Sequence, residues 1–169
     1  MEINKKLLIY VVEDNKMYNK IISGFLKKTG FEKVKSFLNG EDCIEAVKGG
    51  EHPDIVIQDY DLTDITGIDV LQYVKKHSRK SEFIFLTANE SMEVGVNSIK
   101  YGAYDYIIKD TDLALNKVLN KIDNISKLLR LQKRNRRIMS AMIFVLVILI
   151  GIVILTTLHT YFNAFGWQP

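Results

Sequence analysis

Five short apolar runs, each too short for a helix, alternate with helical patterns along the first two thirds of the chain. They are Leu7–Val12, Val34–Phe37, Ile55–Ile57, Phe83–Leu86 and Tyr106–Ile108. Four of them, with no polar alternation, read as strands buried on both faces, and Val34–Phe37, which carries Lys35 and Ser36, reads as a weaker strand. Between them, stripes at steps of three and four mark helices. Ile21, Ile22, Phe25 and Leu26 lead to Gly30, Cys43, Ile44 and Val47 lead to Gly49-Gly50, and Ile68, Val70, Leu71 and Val74 follow Gly67. A weaker helix over residues 90–101 takes Val94 and Ile99 as its inward residues and stops at Gly102. Five β/α units with right-handed crossovers predict an α/β fold with a doubly wound, five-stranded parallel sheet.

Four of the runs close on residues that can do chemistry. The first gives way to Glu13 and Asp14, the third delivers Asp59, the fourth ends in Thr87 and the fifth in Lys109. In an open parallel sheet ligands sit beyond the carboxyl ends of the strands, so all five residues are expected on one edge. Three close carboxylates repel one another unless a cation sits among them, and an all-oxygen site of this kind suits Mg²⁺. Lys109 adds a positive charge and Thr87 a hydroxyl. A metal, an ammonium, a hydroxyl and a nucleophilic carboxylate are the groups a transferring phosphoryl needs.

From residue 112 to Gly151 the chain has no Gly or Pro, and Asp112 is a sensible N-cap, so one helix is expected to run throughout. Leu115, Leu119 and Ile122 are expected to cover the sheet. Leu115, Val118, Ile122, Ile125 and Leu129 also fit a short heptad seam, a pattern shared by a coiled coil and by an amphipathic helix docked on its own domain. Charge is divided along the chain: residues 1–116 hold 15 Lys/Arg and 19 Asp/Glu, whereas residues 117–137 hold 8 and 1. A net positive segment confined to that neck, beside an apolar stretch, points to a membrane surface and argues against nucleic acid. Ile138–Leu158 then runs 21 residues without a charge. As a helix it spans about 31 Å, enough to cross the roughly 30 Å apolar layer of a bilayer.

Arg134, Arg136 and Arg137 before this span, with no charged side chain after it, place the N-terminal domain in the cytoplasm by the positive-inside rule. Tyr161, Phe162 and Trp167 suit the far interface. The expected organisation is a domain over 1–125, a basic helical neck over 126–137, a transmembrane helix over 138–158 and a short non-cytoplasmic tail over 159–169. The neck is too short for a folded output domain. Glu13 and Asp14 interrupt the N-terminal apolar run, so no signal peptide is expected. The single Cys43 lies on a helical apolar stripe and is expected to be buried.

The five-point pattern resembles the receiver domain of bacterial two-component response regulators, over roughly Lys5 to Ile125. Glu13-Asp14 matches the family's acidic pair, Asp59 its phosphoacceptor, Thr87-Ala88 its switch hydroxyl and the small residue after it, Tyr106 its switch aromatic and Lys109 its lysine. The resemblance implies a flavodoxin-like receiver fold in which Asp59 takes a phosphoryl group from a histidine kinase or phosphotransfer protein. Mg²⁺ would be held by Asp14, Asp59 and the backbone carbonyl of Asp61, with Glu13 acting partly through water. Asp61 and Asn89 fall where the family tunes loss of the phosphoryl group.

Two departures stand out: Thr63 where the family often has Pro, and Lys109-Asp110 where Lys-Pro is common. A cis bond before Asp110 would cost about 3 kcal/mol, so a trans or strained peptide is expected there. With the unbroken helix from residue 112 into the span and its partial heptad, the expected protein is a membrane-anchored single-domain regulator that signals through a partner protein or through a homodimer of the neck. A phosphate sink for a kinase is the alternative within that family. Residues 59–63 also resemble the DxDx[TV] motif of haloacid-dehalogenase-type phosphatases, but there the motif usually sits on the first strand, and the acidic pair follows the lysine.

Overall fold

A computed structural model describes residues 4–88, 90–109, 113–164 and 166. Two compact units divide the chain, Met1–Ser126 and Lys127–Pro169. In the first, strands β1 (Leu8–Val12), β2 (Lys33–Phe37), β3 (Ile55–Gln58), β4 (Glu82–Thr87) and β5 (Asp105–Ile108) alternate with helices. These are α1 (Lys16–Lys28), α2 (Gly40–Lys48), α3 (Gly67–His77) and α4 (Met92–Lys100), with α5 (Ala114–Ala164) following. The strands form one parallel sheet in the order β2-β1-β3-β4-β5. The order reverses at β1 and β3, where a crevice opens beyond the strand ends.

Apolar content sets each strand's place. The described apolar residues of β3 and β4 are wholly buried, as are Ile9, Tyr10, Val11 and Val12 of β1. β2 carries Lys33 and Lys35 and forms an edge, where charged side chains discourage pairing with another chain. On one face Val70, Leu71 and Val74 of α3 and Cys43 and Val47 of α2 meet Tyr10, Val56, Phe83 and Phe85. Cys43 is fully buried, and burial pushes its thiol up to about 12.

Two helices depart from expectation. Ile99 is exposed rather than inward, and the buried residue of α4 is Ser98, whose hydroxyl donates to the Val94 carbonyl at 2.8 Å. The sheet-facing side of α4 is built from small residues: a Cβ on Gly95 would lie 3.4 Å from the Tyr106 ring. In α5 the buried face is Ala114, Val118, Ile122, Ile125 and Ser126, while Leu115 and Leu119 are only half-buried. Three residues of the heptad pattern, Val118, Ile122 and Ile125, are thus spent on packing within the first unit. Asp112, the Lys109-Asp110 peptide, Asn89 and Trp167 lie outside the described residues.

Helix starts are fixed by caps. Asn15 accepts from the N–H groups of Met17 and Tyr18, and Thr66 and Asp69 form a reciprocal capping box. The start of α2 is held from a distance, since the Asp64 carboxylate accepts from the N–H groups of Gly40 and Glu41 at 3.1 and 2.8 Å. Burial alone would raise the Asp64 carboxyl, but these backbone donors outweigh it and hold it below its ordinary value of 3.8. Its contribution is therefore present above that value and lost as pH falls through the lower folded one. Asp64→Ala is expected to cost about 1 kcal/mol at pH 7. Melting curves at neutral and strongly acidic pH should show the two proteins converging in acid.

In the second unit α5 continues through the uncharged stretch, and the apolar residues described from Ile138 to Leu158 are largely exposed. This helix is long and apolar enough to cross a membrane.

Candidate functional site

The carboxyl ends of β1, β3, β4 and β5 gather the chemistry. Val12 is the last residue of β1, and its carbonyl accepts from the Asp59 N–H at 2.9 Å, which aligns Glu13 beside Asp59. Across the sheet, the Lys109 N–H donates to the Thr87 carbonyl at 2.7 Å, so the residue after β5 is fixed to the last residue of β4. Parallel pairing thus places all of these strand ends on one edge without any local sequence contact.

The Lys109 ammonium is the hub. It donates to Glu13 Oε2 at 2.6 Å and to Asp59 Oδ2 at 2.5 Å, and its side chain is 10% exposed. Glu13, Asp14 and Asp59 each offer a carboxylate oxygen within 4.8 Å of the others. Three oxygen donors so close form a concentrated negative site that Lys109 only partly neutralises. Hard oxygen ligands on an edge open to water fit Mg²⁺, which keeps several of its own waters.

Burial sets the electrostatics. The Glu13 carboxyl is raised, first by burial, while the Lys109 bonds pull it down and Asp59 and Asp14 push it up. Burial opposes the charge on Lys109, but hydrogen bonds to Asp59 and Glu13 outweigh it and hold the ammonium above its ordinary value. Lys109 therefore stays charged at neutral pH. The carboxylates are poised to accept a cation, and the ammonium is placed to meet the oxygens of an incoming anion.

Thr87 is fully buried at the end of β4, and Tyr106 is half-buried on β5 against Gly95. The Tyr106 phenol is raised by burial and then by Asp61, Tyr60 and Asp59, a sign of how near the acidic edge lies. Asp61 is exposed, and its N–H donates to Asp59 Oδ1 at 3.3 Å.

Sequence reasoning missed two residues, Tyr18 and Asn19. Tyr18 of α1 lies with its ring centroid 4.7 Å from Lys109 Nζ, giving the ammonium an aromatic face. Buried Asn19 donates to the carbonyls of Glu13 and Phe37 at 3.1 and 2.8 Å, which ties the β1 turn to the β2 end. Gly67 is needed for space: a Cβ there would meet Gln58 Nε2, the Tyr60 carbonyl and the Asp59 carbonyl at 2.7 to 2.9 Å. Tyr18 and Asn19 sit four and five residues after Asp14, on the turn of α1 nearest the site. That spacing was the available signal.

A family model described as the response regulator receiver domain matches residues 9–123. The chain belongs to the response regulator receiver family. Its relatives include the chemotaxis protein CheY of Bacillus subtilis, 31% identical over 118 residues, covering 66% of this chain and 97% of that protein. The regulatory protein LuxO of Vibrio cholerae is 38% identical over 91 residues, covering 53% of this chain and 20% of that one. The chain spans only about a fifth to a quarter of the length of the LuxO proteins it matches.

Among solved structures, a beryllofluoride-activated DrrB receiver domain superposes with a TM-score of 0.63 at 27% identity, covering 72% of this chain and 98% of that one. NtrX from Brucella abortus gives 0.66 at 25% identity, covering 75% and 29%. Receiver domains are signalling modules of two-component systems, phosphorylated on aspartate. Membership in this family replaces the phosphatase alternative, and the DxDx[TV]-like run is the acidic loop after a receiver's third strand.

Proposed function

We propose that this receiver accepts a phosphoryl group on Asp59 from the phosphohistidine of a histidine kinase or phosphotransfer protein. The observation that carries this reading is the Lys109 ammonium bonded to both Asp59 and Glu13, beside three clustered carboxylates. An Asp59 carboxylate oxygen forms a bond to phosphorus as the P–N bond breaks, and the imidazole leaves with its electron pair and takes up a proton. Glu13, Asp14 and Asp59, with the Asp61 carbonyl, would hold Mg²⁺, which supplies charge neutralisation for the phosphoryl oxygens. Lys109 turns from Asp59 to a phosphoryl oxygen, so the cation is reused rather than removed.

The product carries about −1.5 to −2 charges at neutral pH, next to a buried hydroxyl on Thr87 and near the Tyr106 ring. Those two residues are the switch. Tyr106, with Met92, Val96 and Ile99, lines a cavity of about 540 Å³ along α4 and β5, which suits an effector protein's apolar side chains. Asp61 and position 89 are assigned to tuning the loss of the phosphoryl group.

Residues 138–158 are proposed as a single transmembrane helix after a basic neck, with the receiver in the cytoplasm and residues 159–169 across the membrane. Exposed Ile, Leu, Val and Phe side chains support this reading, together with Arg134, Arg136 and Arg137 at its leading end. A homodimer through the neck would have to use residues other than Val118, Ile122 and Ile125, which are buried within the first unit.

The test uses the full chain in detergent with Mg²⁺ and a phosphorylated histidine phosphotransfer protein. Label is expected to move to the wild type and not to Asp59→Asn. Equal labelling of the two proteins would refute the assignment. Rapid transfer with no partner whose binding depends on phosphorylation would identify a phosphate sink.

A further inference from the structure

We infer that the pole of the receiver opposite Asp59 docks on anionic lipid headgroups, a reading that rests on the membrane anchor proposed above. Because all five strands are parallel, the segments entering them lie at one edge and the segments leaving them at the other. The entering edge, residues 4–6, 25–33, 45–54, 74–82 and 97–105, holds 11 Lys/Arg and 6 Asp/Glu. The described residues of the leaving edge, 13–19, 37–42, 58–69, 87–88, 90–93 and 108–109, hold 2 and 10. The receiver is a charge dipole with its phosphorylation chemistry at the acidic end.

Cations near helix C-termini complement helix dipoles, and this accounts for Lys27, Lys28, Lys48, Lys75, Lys76 and Lys100. It does not account for Lys6, Lys33, Arg79 and Lys80, which lie outside helices and are exposed. The acids of this edge are largely spent already. Glu51, Glu45 and Glu82 pair with Lys35, Lys48 and Lys75. By contrast, Lys76, Arg79 and Lys80 enter none of the ion pairs found among the described residues. Together with His52, His77 and Asp54 these three line an open cavity of about 450 Å³, wide enough for a phosphate-bearing headgroup.

The basic edge is also where the chain leaves the first unit. The Asn4 N–H donates to the Ser126 hydroxyl at 3.2 Å, so the last residue of the unit lies beside the entry to β1. Ile138 is the twelfth residue after Ser126. A helical rise over twelve residues is about 18 Å. Chain length alone therefore keeps the basic pole near the leaflet, where the screened field of anionic lipids reaches. A pole carrying excess Lys and Arg is therefore tethered where the negative potential of the cytoplasmic leaflet acts on it. Docking through this pole leaves Asp59, at the other end of every strand, open to a phosphodonor.

The experiment reconstitutes the full chain in vesicles of phosphatidylcholine alone or with phosphatidylglycerol. Each protein carries a fluorophore on one introduced cysteine, Glu32→Cys at the basic pole or Thr63→Cys at the acidic pole. Native Cys43, fully buried, stays unlabelled. With a headgroup nitroxide as quencher, the Glu32→Cys label is expected to be quenched at least about threefold more in anionic than in neutral vesicles, and high salt should erase the difference. The Thr63→Cys label should not respond. Combining Lys76→Glu, Arg79→Glu and Lys80→Glu should return the Glu32→Cys signal to its neutral-vesicle level.

Alkaline extraction is run on the same samples. Protein that resists extraction but shows quenching independent of lipid composition overturns the docking and leaves the anchor standing. Protein released by alkali overturns both. Salt-sensitive retention of duplex DNA by these cations, without lipid dependence, overturns the lipid assignment in favour of nucleic acid.

Discussion

Lys109→Met is expected to slow phosphorylation of Asp59 by about 10²- to 10³-fold, the usual cost of losing one preorganised charge in such a site. It is also expected to destabilise the receiver by about 3 kcal/mol at neutral pH without Mg²⁺, as removal of one partner from a buried ion pair does. The size follows from what the ammonium holds. Glu13 is 2% exposed and Asp59 11%, and both would lose the cation that now bonds them. Methionine keeps most of the volume, so the loss is electrostatic rather than a cavity.

Two dependences set this apart from a generic core defect. Burial has already raised the Glu13 carboxyl, and Lys109 is what pulls it back. A carboxyl raised on folding favours the folded state below its ordinary value of 4.5, and that advantage is lost as pH rises through the folded value. Without Lys109 the raised window widens, so the variant's deficit should be larger at pH 7.5 than at pH 5. Mg²⁺ should act the other way, raising the melting temperature of Lys109→Met more than that of wild type. Thermal unfolding at two pH values, in EDTA and in Mg²⁺, measures both dependences.

The second large effect is expected at a residue with no polar side chain. Gly67→Ala should destabilise the receiver by about 2–3 kcal/mol and impair phosphorylation, although nothing charged is altered. Gly67 has no positive φ, so its requirement is room. An added Cβ would sit 2.8 and 2.9 Å from the carbonyl oxygens of Tyr60 and Asp59 and 2.7 Å from Gln58 Nε2. Backbone oxygens cannot rotate away as a side chain can, so the turn carrying Asp59 must shift. Gln58 also donates to the Gly67 carbonyl at 2.8 Å, and that link would be strained in the same movement. Chemical denaturation gives the stability loss, and initial rates with a small phosphodonor give the other effect. Gly24→Ala, in the interior of α1 where a Cβ meets nothing within 4 Å, is the control and should stabilise by up to about 1 kcal/mol.

Much of the site was legible because its residues end apolar runs. Glu13, Asp59, Thr87 and Lys109 each interrupt a continuous stretch of Ile, Val, Leu or Phe, and parallel pairing carries such interruptions to one edge. What stayed hidden depends on contacts that span the sequence. The Asp64 cap on α2 reaches back 24 residues, and the bond from Lys109 to Glu13 spans 96.

Helix facing was harder still. Ile99 looked inward because it is apolar, but α4 approaches the sheet closely and turns its small side, Gly95 and Ser98, toward it. In α5 a docked amphipathic helix and a coiled-coil seam share steps of three and four, so only packing could tell Val118 and Ile125 apart from Leu115 and Leu119.

The most direct measurement is the intact mass of the full chain after incubation with Mg²⁺ and a small phosphodonor, followed by fragmentation to locate the adduct. The proposed function predicts one phosphoryl group on Asp59, absent when Mg²⁺ is chelated and absent in Asp59→Asn. A chain that stays unmodified, or that carries the group on any other residue, would contradict the assignment of Asp59 as phosphoacceptor.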